Sequence, residues 1–288
     1  MTDFWSRAFS FHSNYGALLT LVHNAIIAGA ILGLLGGLIS TFVMMRDLPF
    51  AVHGISELSY TGAAAALLAG ADVVVGSIIG SITAALIIGA LGSRARDRNS
   101  IIGVLMPFGL GLGVLFNSLY QGRAGNKYGL LIGQPVAIDN SELQWLIIAA
   151  LVVVPALLII WRPLVFASID PELAAARGIP VTWLSPIFML LLGITVAVAV
   201  KVIGALLVLS VVVTPAAAAM RVTASPVKVP LLSMTFGLIA TVGGILLAVG
   251  SDGVPISPYV TTISFSIYVV CRIIGAVRTR RGWVVRPA

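Results

Sequence analysis

Residues 17–45, ALLTLVHNAIIAGAILGLLGGLISTFVMM, hold no Asp, Glu, Lys or Arg at any position. A helix rises about 1.5 Å per residue and the hydrocarbon core of a bilayer is about 30 Å thick, so roughly 20 apolar residues cross it. This run is long enough to span. It is also longer than the apolar core of a secretion signal, and residues 1–16 before it are aromatic and polar, so it is expected to remain as a spanning helix.

Outward from this run, further apolar stretches lie near 50–70, 73–92, 101–119, 143–163, 182–199, 202–220, 229–249 and 258–276. They predict an all-α, polytopic integral membrane protein with about eight or nine transmembrane helices. The count is nine if Lys201 separates the sixth and seventh stretches, and eight if it does not. The expected organisation is a short extracytoplasmic segment (1–16), a transmembrane domain (17–276) and a basic cytoplasmic tail (277–288). Composition agrees, with 59% hydrophobic and 9% charged residues. A soluble domain is excluded.

The net charge of +7 invites a nucleic-acid reading. That function needs Lys and Arg gathered on an aqueous face, whereas here most of them sit in short gaps between apolar runs, so no nucleic-acid partner is expected. Instead the charge reads as topology, because basic loops stay cytoplasmic. With the N-terminus outside, the inner side receives Arg46, Arg94, Arg96, Arg98, Arg162, Arg177, Arg221, Lys228, Arg272, Arg278, Arg280, Arg281 and Arg286. The outer side keeps only Arg7, Arg123, Lys127 and Lys201. The C-terminus is therefore expected inside. Cys271, the single cysteine, has no intrachain partner and says nothing about redox compartment.

Glycines recur every fourth residue at Gly29, Gly33 and Gly37, at Gly76 and Gly80, and at Gly109 and Gly113. Each set falls on one helix face and predicts a close packing seam. The outer segment from Gln121 to Glu142 reads as an interfacial piece, with Asp139 and Glu142 resembling a capping box and Trp145 suited to the headgroup layer. In the inner loop FASIDPELAAARGIPVTW, Asp170, Pro171 and Glu172 make a helix start. Gly178 and Pro180 make its stop. A short helix across the cytoplasmic mouth is expected.

The second span begins RDLPFAVHGISELSYTGAAAALLAG and carries the residues with the most chemistry. An ionisable group inside a bilayer costs about 2.5 to 3.5 kcal/mol, so it needs a partner, a cavity or a ligand. His53 and Glu57 stand four apart and share a helix face, where an imidazole nitrogen and a carboxylate oxygen could hold one cation with Ser56 beside them. The same spacing also suits a hydrogen-bonded pair near the inner interface. Continuous helix from Arg46 would put His53 about 10 Å inside it. The other polar groups carry less: His23 reads as a packed, hydrogen-bonded residue and His12 as solvated. Asp72 and Asp252 fall at outer helix ends.

The stretch Arg46, Phe50, His53, Ser56, Glu57 and Gly62 resembles the permeases of zinc and manganese ABC importers. In that family a helix reading Asp or His, two residues, Ser and His follows an arginine and a phenylalanine. Three further pieces resemble the family in order: RDRNSIIGVLMPFGLGLGVLF, IDPELAAARGIP, and VKVIGALLVLSVVVTPAAAAMRVT with Gly204, Pro215 and Arg221. Glu57 departs from the usual histidine and shifts the site toward harder ligands. The resemblance implies a subunit of a bacterial inner-membrane importer whose cargo, a divalent metal (manganese or zinc), passes His53, Ser56 and Glu57. No permanently bound cofactor is implied. The implied partners are a separate ABC ATPase, an extracytoplasmic metal-binding protein and a second permease. Asp170, Glu172 and Arg177 would contact the ATPase.

The sequence contains no phosphate-binding G-x-x-x-x-G-K-[ST] loop and no H-E-x-x-H helix, so neither ATP hydrolysis nor a zinc protease is expected of this chain itself. The alternatives are an ABC permease for siderophores or vitamins, which would not need the His53 and Glu57 pair, and a gradient-driven secondary transporter, which would show internal repeats.

Overall fold

The structure is a computed structural model and describes residues 22–91, 95–122, 129–131, 133, 138–250 and 255–280. In chain order the helices are α1 (His23–Met45), α2 (Pro49–Ala69), α3 (Val73–Leu91), α4 (Ala95–Leu119), α5 (Asn140–Ile169), α6 (Pro171–Ala176) and α7 (Val181–Ile203). A single 3-10 turn, Ala205–Leu207, leads into α8 (Leu209–Val212) and α9 (Thr214–Val222), followed by α10 (Lys228–Val249) and α11 (Ile256–Arg280). There is no strand among the described residues. The protein is an all-α, multi-pass membrane protein.

Eight segments are long and apolar enough to cross a membrane, the broken one at Ala205–Val222 included. The remaining long helix, α2, is more polar because it carries His53, Ser56, Glu57, Ser59, Tyr60 and Thr61. Its 21 residues nevertheless reach about 31 Å. It also runs beside spanning helices along its length, antiparallel to α3 where Ser59 Oγ meets Ser77 Oγ at 2.7 Å. It lies parallel to α4, where Thr61 donates to the Gly109 carbonyl at 2.5 Å and Asn117 donates to the Tyr60 hydroxyl at 3.2 Å. With α2 added to the eight candidate spans, helix direction alternates along the described chain. One end of the described bundle then holds Arg46, Arg162, Arg177, Arg221 and Lys228, and the other end Asp72, Glu142 and Lys201.

The glycine spacing makes real seams. A Cβ on Gly33 would fall 2.7 Å from the Gly237 carbonyl oxygen, and one on Gly37 would fall 2.5 Å from that of Ser233, so α1 and α10 touch backbone to backbone. Hydroxyls add to the contact: Thr241 donates to the Gly29 carbonyl and Ser233 to that of Gly37, each at 2.6 Å. Ser40 and Ser233 share a further bond of 2.7 Å. Between helices in lipid there is no hydrophobic driving force, so close approach and interhelical hydrogen bonds carry the association. Gly76 and Gly80 do the same for α3 against Gly62 and Leu58 of α2.

Turns are tight. Gly70, with φ 70°, ends α2 in the left-handed region, and Asp72 then caps α3 by accepting from the amides of Val74 at 2.7 Å and Val75 at 3.2 Å. The division of the sixth and seventh spans falls at Gly204, three residues beyond Lys201, where φ 92° and ψ 152° suit glycine and end α7. Beyond it the helical ladder is interrupted inside the membrane, and neighbouring hydroxyls complete the freed carbonyls. Ser257 donates to Ile203 O at 2.9 Å and Ser264 to Ser210 O at 2.7 Å.

Two expectations need correction. Asp139 stands at the N-cap of α5 but its side chain makes no capping bond, and Glu142 turns to Lys201 instead of back along its own helix. His23 is exposed at the first position of α1 rather than packed within a span. Its neighbour Asn24 does the bridging, donating to Asn140 Oδ1 at 2.8 Å. His12, Arg123, Lys127 and Asp252 lie outside the described residues, as do residues 1–16.

Candidate functional site

The site is built on the N-terminal half of α2. Arg46 and Asp47 turn the chain out of α1, Asp47 with φ 53°, and Pro49 opens α2 with its fixed φ and missing amide where neither is a loss. Arg46 fixes this corner. Its guanidinium donates to Ser185 of α7 and, at 3.5 Å, to Ser168 of α5, and lies over the Phe188 ring at 5.6 Å from the centroid. The corner that starts α2 is thereby tied to both helices that hold α6.

One turn into α2, the imidazole Nε2 of His53 stands 3.8 Å from Glu57 Oε1. That separation is too long for a hydrogen bond. Two donors sharing a tetrahedral ion at about 2.1 Å each would stand about 3.4 Å apart, so the pair would have to close slightly for both to reach one ion. Glu57 is only 3% exposed, and both its Oε2 and His53 Nδ1 are buried without a hydrogen-bond partner. Leaving such atoms unpaired in a low-dielectric interior is costly. Ser56 is fully buried, and its hydroxyl donates to the His53 carbonyl at 2.8 Å, so only its lone pairs remain for a ligand.

His53 is 28% exposed and opens onto a cavity of about 360 Å³ lined by Pro49, Phe50, Leu209, Val213 and Thr214. The far wall is therefore the broken segment after Gly204. A second cavity of about 250 Å³ shares Leu209 and Thr214 and continues past Ser210 to Thr261 and Phe265 of α11. Sequence reading did not single out Leu209, Val213 or Thr214. The one signal was the bracketing of residues 205–214 by Gly204 and Pro215.

Among the described residues, no group of three or more His, Cys, Asp or Glu side chains gathers anywhere. His53 and Glu57 could offer two donors to a cation, whose remaining positions would fall to water or another chain.

The other predicted group stands on α6, between α5 and α7. Asp170 caps α6, accepting from the Leu173 amide at 2.9 Å, and Gly178 with φ 81° releases the chain after it. Glu172 and Arg177 are exposed, and so are Leu173 and Ala175, whereas Ala174 is fully buried. The short helix thus presents a mixed polar and apolar face outward while resting on α5.

The sequence matches the family described as ABC 3 transport family over residues 19–275. It is 29% identical over 233 residues to the manganese transport system membrane protein MntC of Halalkalibacterium halodurans, covering 80% of each chain. It is 23% identical over 236 residues to the high-affinity zinc uptake system membrane protein ZnuB of Haemophilus influenzae, covering 82% of this chain and 90% of that one. Among solved structures, PsaBC from Streptococcus pneumoniae in complex with Fab superposes with a TM-score of 0.82 at 22% identity. The match covers 93% of this chain and 99% of that one, so the fold is the same.

Proposed function

Since the chain belongs to the ABC 3 transport family, we propose that it is the permease subunit of an ATP-driven importer whose cargo is a divalent transition metal, manganese or zinc. The chain is a membrane permease and breaks no bond itself. A separate ATPase on the cytoplasmic side supplies the energy, an extracytoplasmic binding protein delivers the ion, and a second permease completes the path. Relatives named for manganese and for zinc support this cargo class.

The observation that carries the reading is the pair of His53 and buried Glu57 beside a cavity, each with one buried atom that has no hydrogen-bond partner. An imidazole with a carboxylate suits a borderline divalent ion, and the carboxylate in place of a second imidazole favours manganese over zinc. Each donor replaces a water of the hydrated ion, and the small donor number keeps the binding weak. Asp170, Glu172 and Arg177 place the α6 face where an ATPase can push on it, and α5 and α7 carry that push across the membrane.

The test is the metal content of a deletion strain grown under chelation. Manganese or zinc should fall and recover on complementation. Unchanged manganese, zinc and iron with failed uptake of a siderophore would make this a permease for chelated cargo instead.

A further inference from the structure

At the outer end, Lys201 Nζ lies 3.1 Å from Glu142 Oε1, with the two side chains 13% and 16% exposed. Glu142 sits in the first turn of α5 and Lys201 in the last turn of α7. The two helices are joined at their other ends by the loop that holds α6. α5 alone has 30 residues, about 45 Å of helix, so the ion pair and the loop close a frame that runs from one membrane face to the other.

The upper corner of that frame is also where the path-lining segment begins. Lys201 precedes Gly204, at which α7 stops, and Leu206, Leu207 and Leu209 follow directly as cavity wall. Two other elements converge on this corner. Ser257 of α11 donates to the Ile203 carbonyl, and Gly133 lies so close that a Cβ there would be 2.6 Å from the same oxygen. The carbonyl is held by Ser257 and closely approached by Gly133, and the charge pair ties the helix that presents it to α5.

Resting on the permease reading above, we propose that Glu142 and Lys201 are positioning residues that couple α6 to the outer mouth. Displacement of α6 moves α5 and α7, and the pair obliges their outer ends to move together and carry the Gly204 break with them. Without the pair the inner ends can still be driven, but the segment from Ala205 to Thr214 no longer follows. ATP would then be hydrolysed without the cavity wall being moved.

The experiment uses the complete complex with its ATPase in lipid vesicles and a Leu206→Cys reporter, since Leu206 is 48% exposed on the cavity wall. Labelling by a membrane-impermeant maleimide is compared in nucleotide-free and ATP-trapped states. Glu142→Gln and Lys201→Met should each shrink the nucleotide-driven change at least about fivefold while ATP hydrolysis persists. The exchanged pair, Glu142→Lys with Lys201→Glu, should restore it. Single variants that respond to nucleotide like the parent would overturn the proposal. So would an exchanged pair that stays uncoupled in a normally assembled complex, since the two side chains would then matter only for packing. A parent complex whose labelling ignores nucleotide while it still hydrolyses ATP would overturn the coupling. Loss of the permease reading has a separate sign, an absence of metal uptake in the parent.

Discussion

Glu57→Gln should make the empty protein more stable and deaf to metal. Glu57 is 3% exposed, its Oε2 has no partner, and its Oε1 is 3.8 Å from His53 Nε2. Glutamine keeps the shape and removes the charge, and its amide can donate toward neighbouring backbone oxygen. A buried ionisable group costs about 2.5 to 3.5 kcal/mol in a bilayer, part of which glutamine retains as a polar group, so a gain of about 1 to 2 kcal/mol is expected. For a chain of this size that raises the unfolding midpoint by about 2 to 6 °C. In the parent, manganese at one hundred times its dissociation constant should add about 2.7 kcal/mol, and in the variant nearly nothing. Thermal unfolding of the purified complex in detergent, with and without manganese or zinc, measures both effects. A variant that is less stable than the parent and keeps its metal-induced shift would refute the claim that Glu57 waits unpaired for the cargo.

Arg46→Ala should cost about 2 to 4 kcal/mol, since it removes charged donors to Ser168 and Ser185 and the stacking on Phe188, and thermal unfolding would show it. Gly37→Leu should cost at least about 3 kcal/mol or prevent assembly, because its side chain would enter the backbone of Ser233 and Met234, and size-exclusion profiles with unfolding curves would report that loss. Ala175→Cys should crosslink to the ATPase and Ala174→Cys should not, since only the former is exposed on α6; reversed yields on gels would show the helix seated the other way.

Hydropathy alone delivered the spans, because each apolar run had to match the bilayer. The charge at Arg46 and the turn after Ala69 bound α2, whose polar residues set it apart from the eight more apolar segments. Lys201 was read as the divider because it is the one charge in a long apolar stretch, yet the backbone breaks at Gly204, where φ 92° is available. Lys201 itself is spoken for by Glu142, fifty-nine positions away, a contact no local pattern encodes. The same limit hid the cavity wall: Leu209 and Val213 look like ordinary span residues, and only the tertiary break turns them toward His53. The His53 and Glu57 pair was legible because four-residue spacing on a helix fixes a shared face, and ionisable groups at that depth are rare.

The most direct measurement of the central claim is metal uptake into vesicles by His53→Ala and Glu57→Ala complexes matched to the parent for expression and ATPase binding. Both should lose manganese and zinc uptake, because each removes one of two protein donors and too few remain to replace the ion's water. Glu57→His should keep uptake and shift preference toward zinc. Parent-level uptake by both alanine variants would contradict a cargo path through this pair.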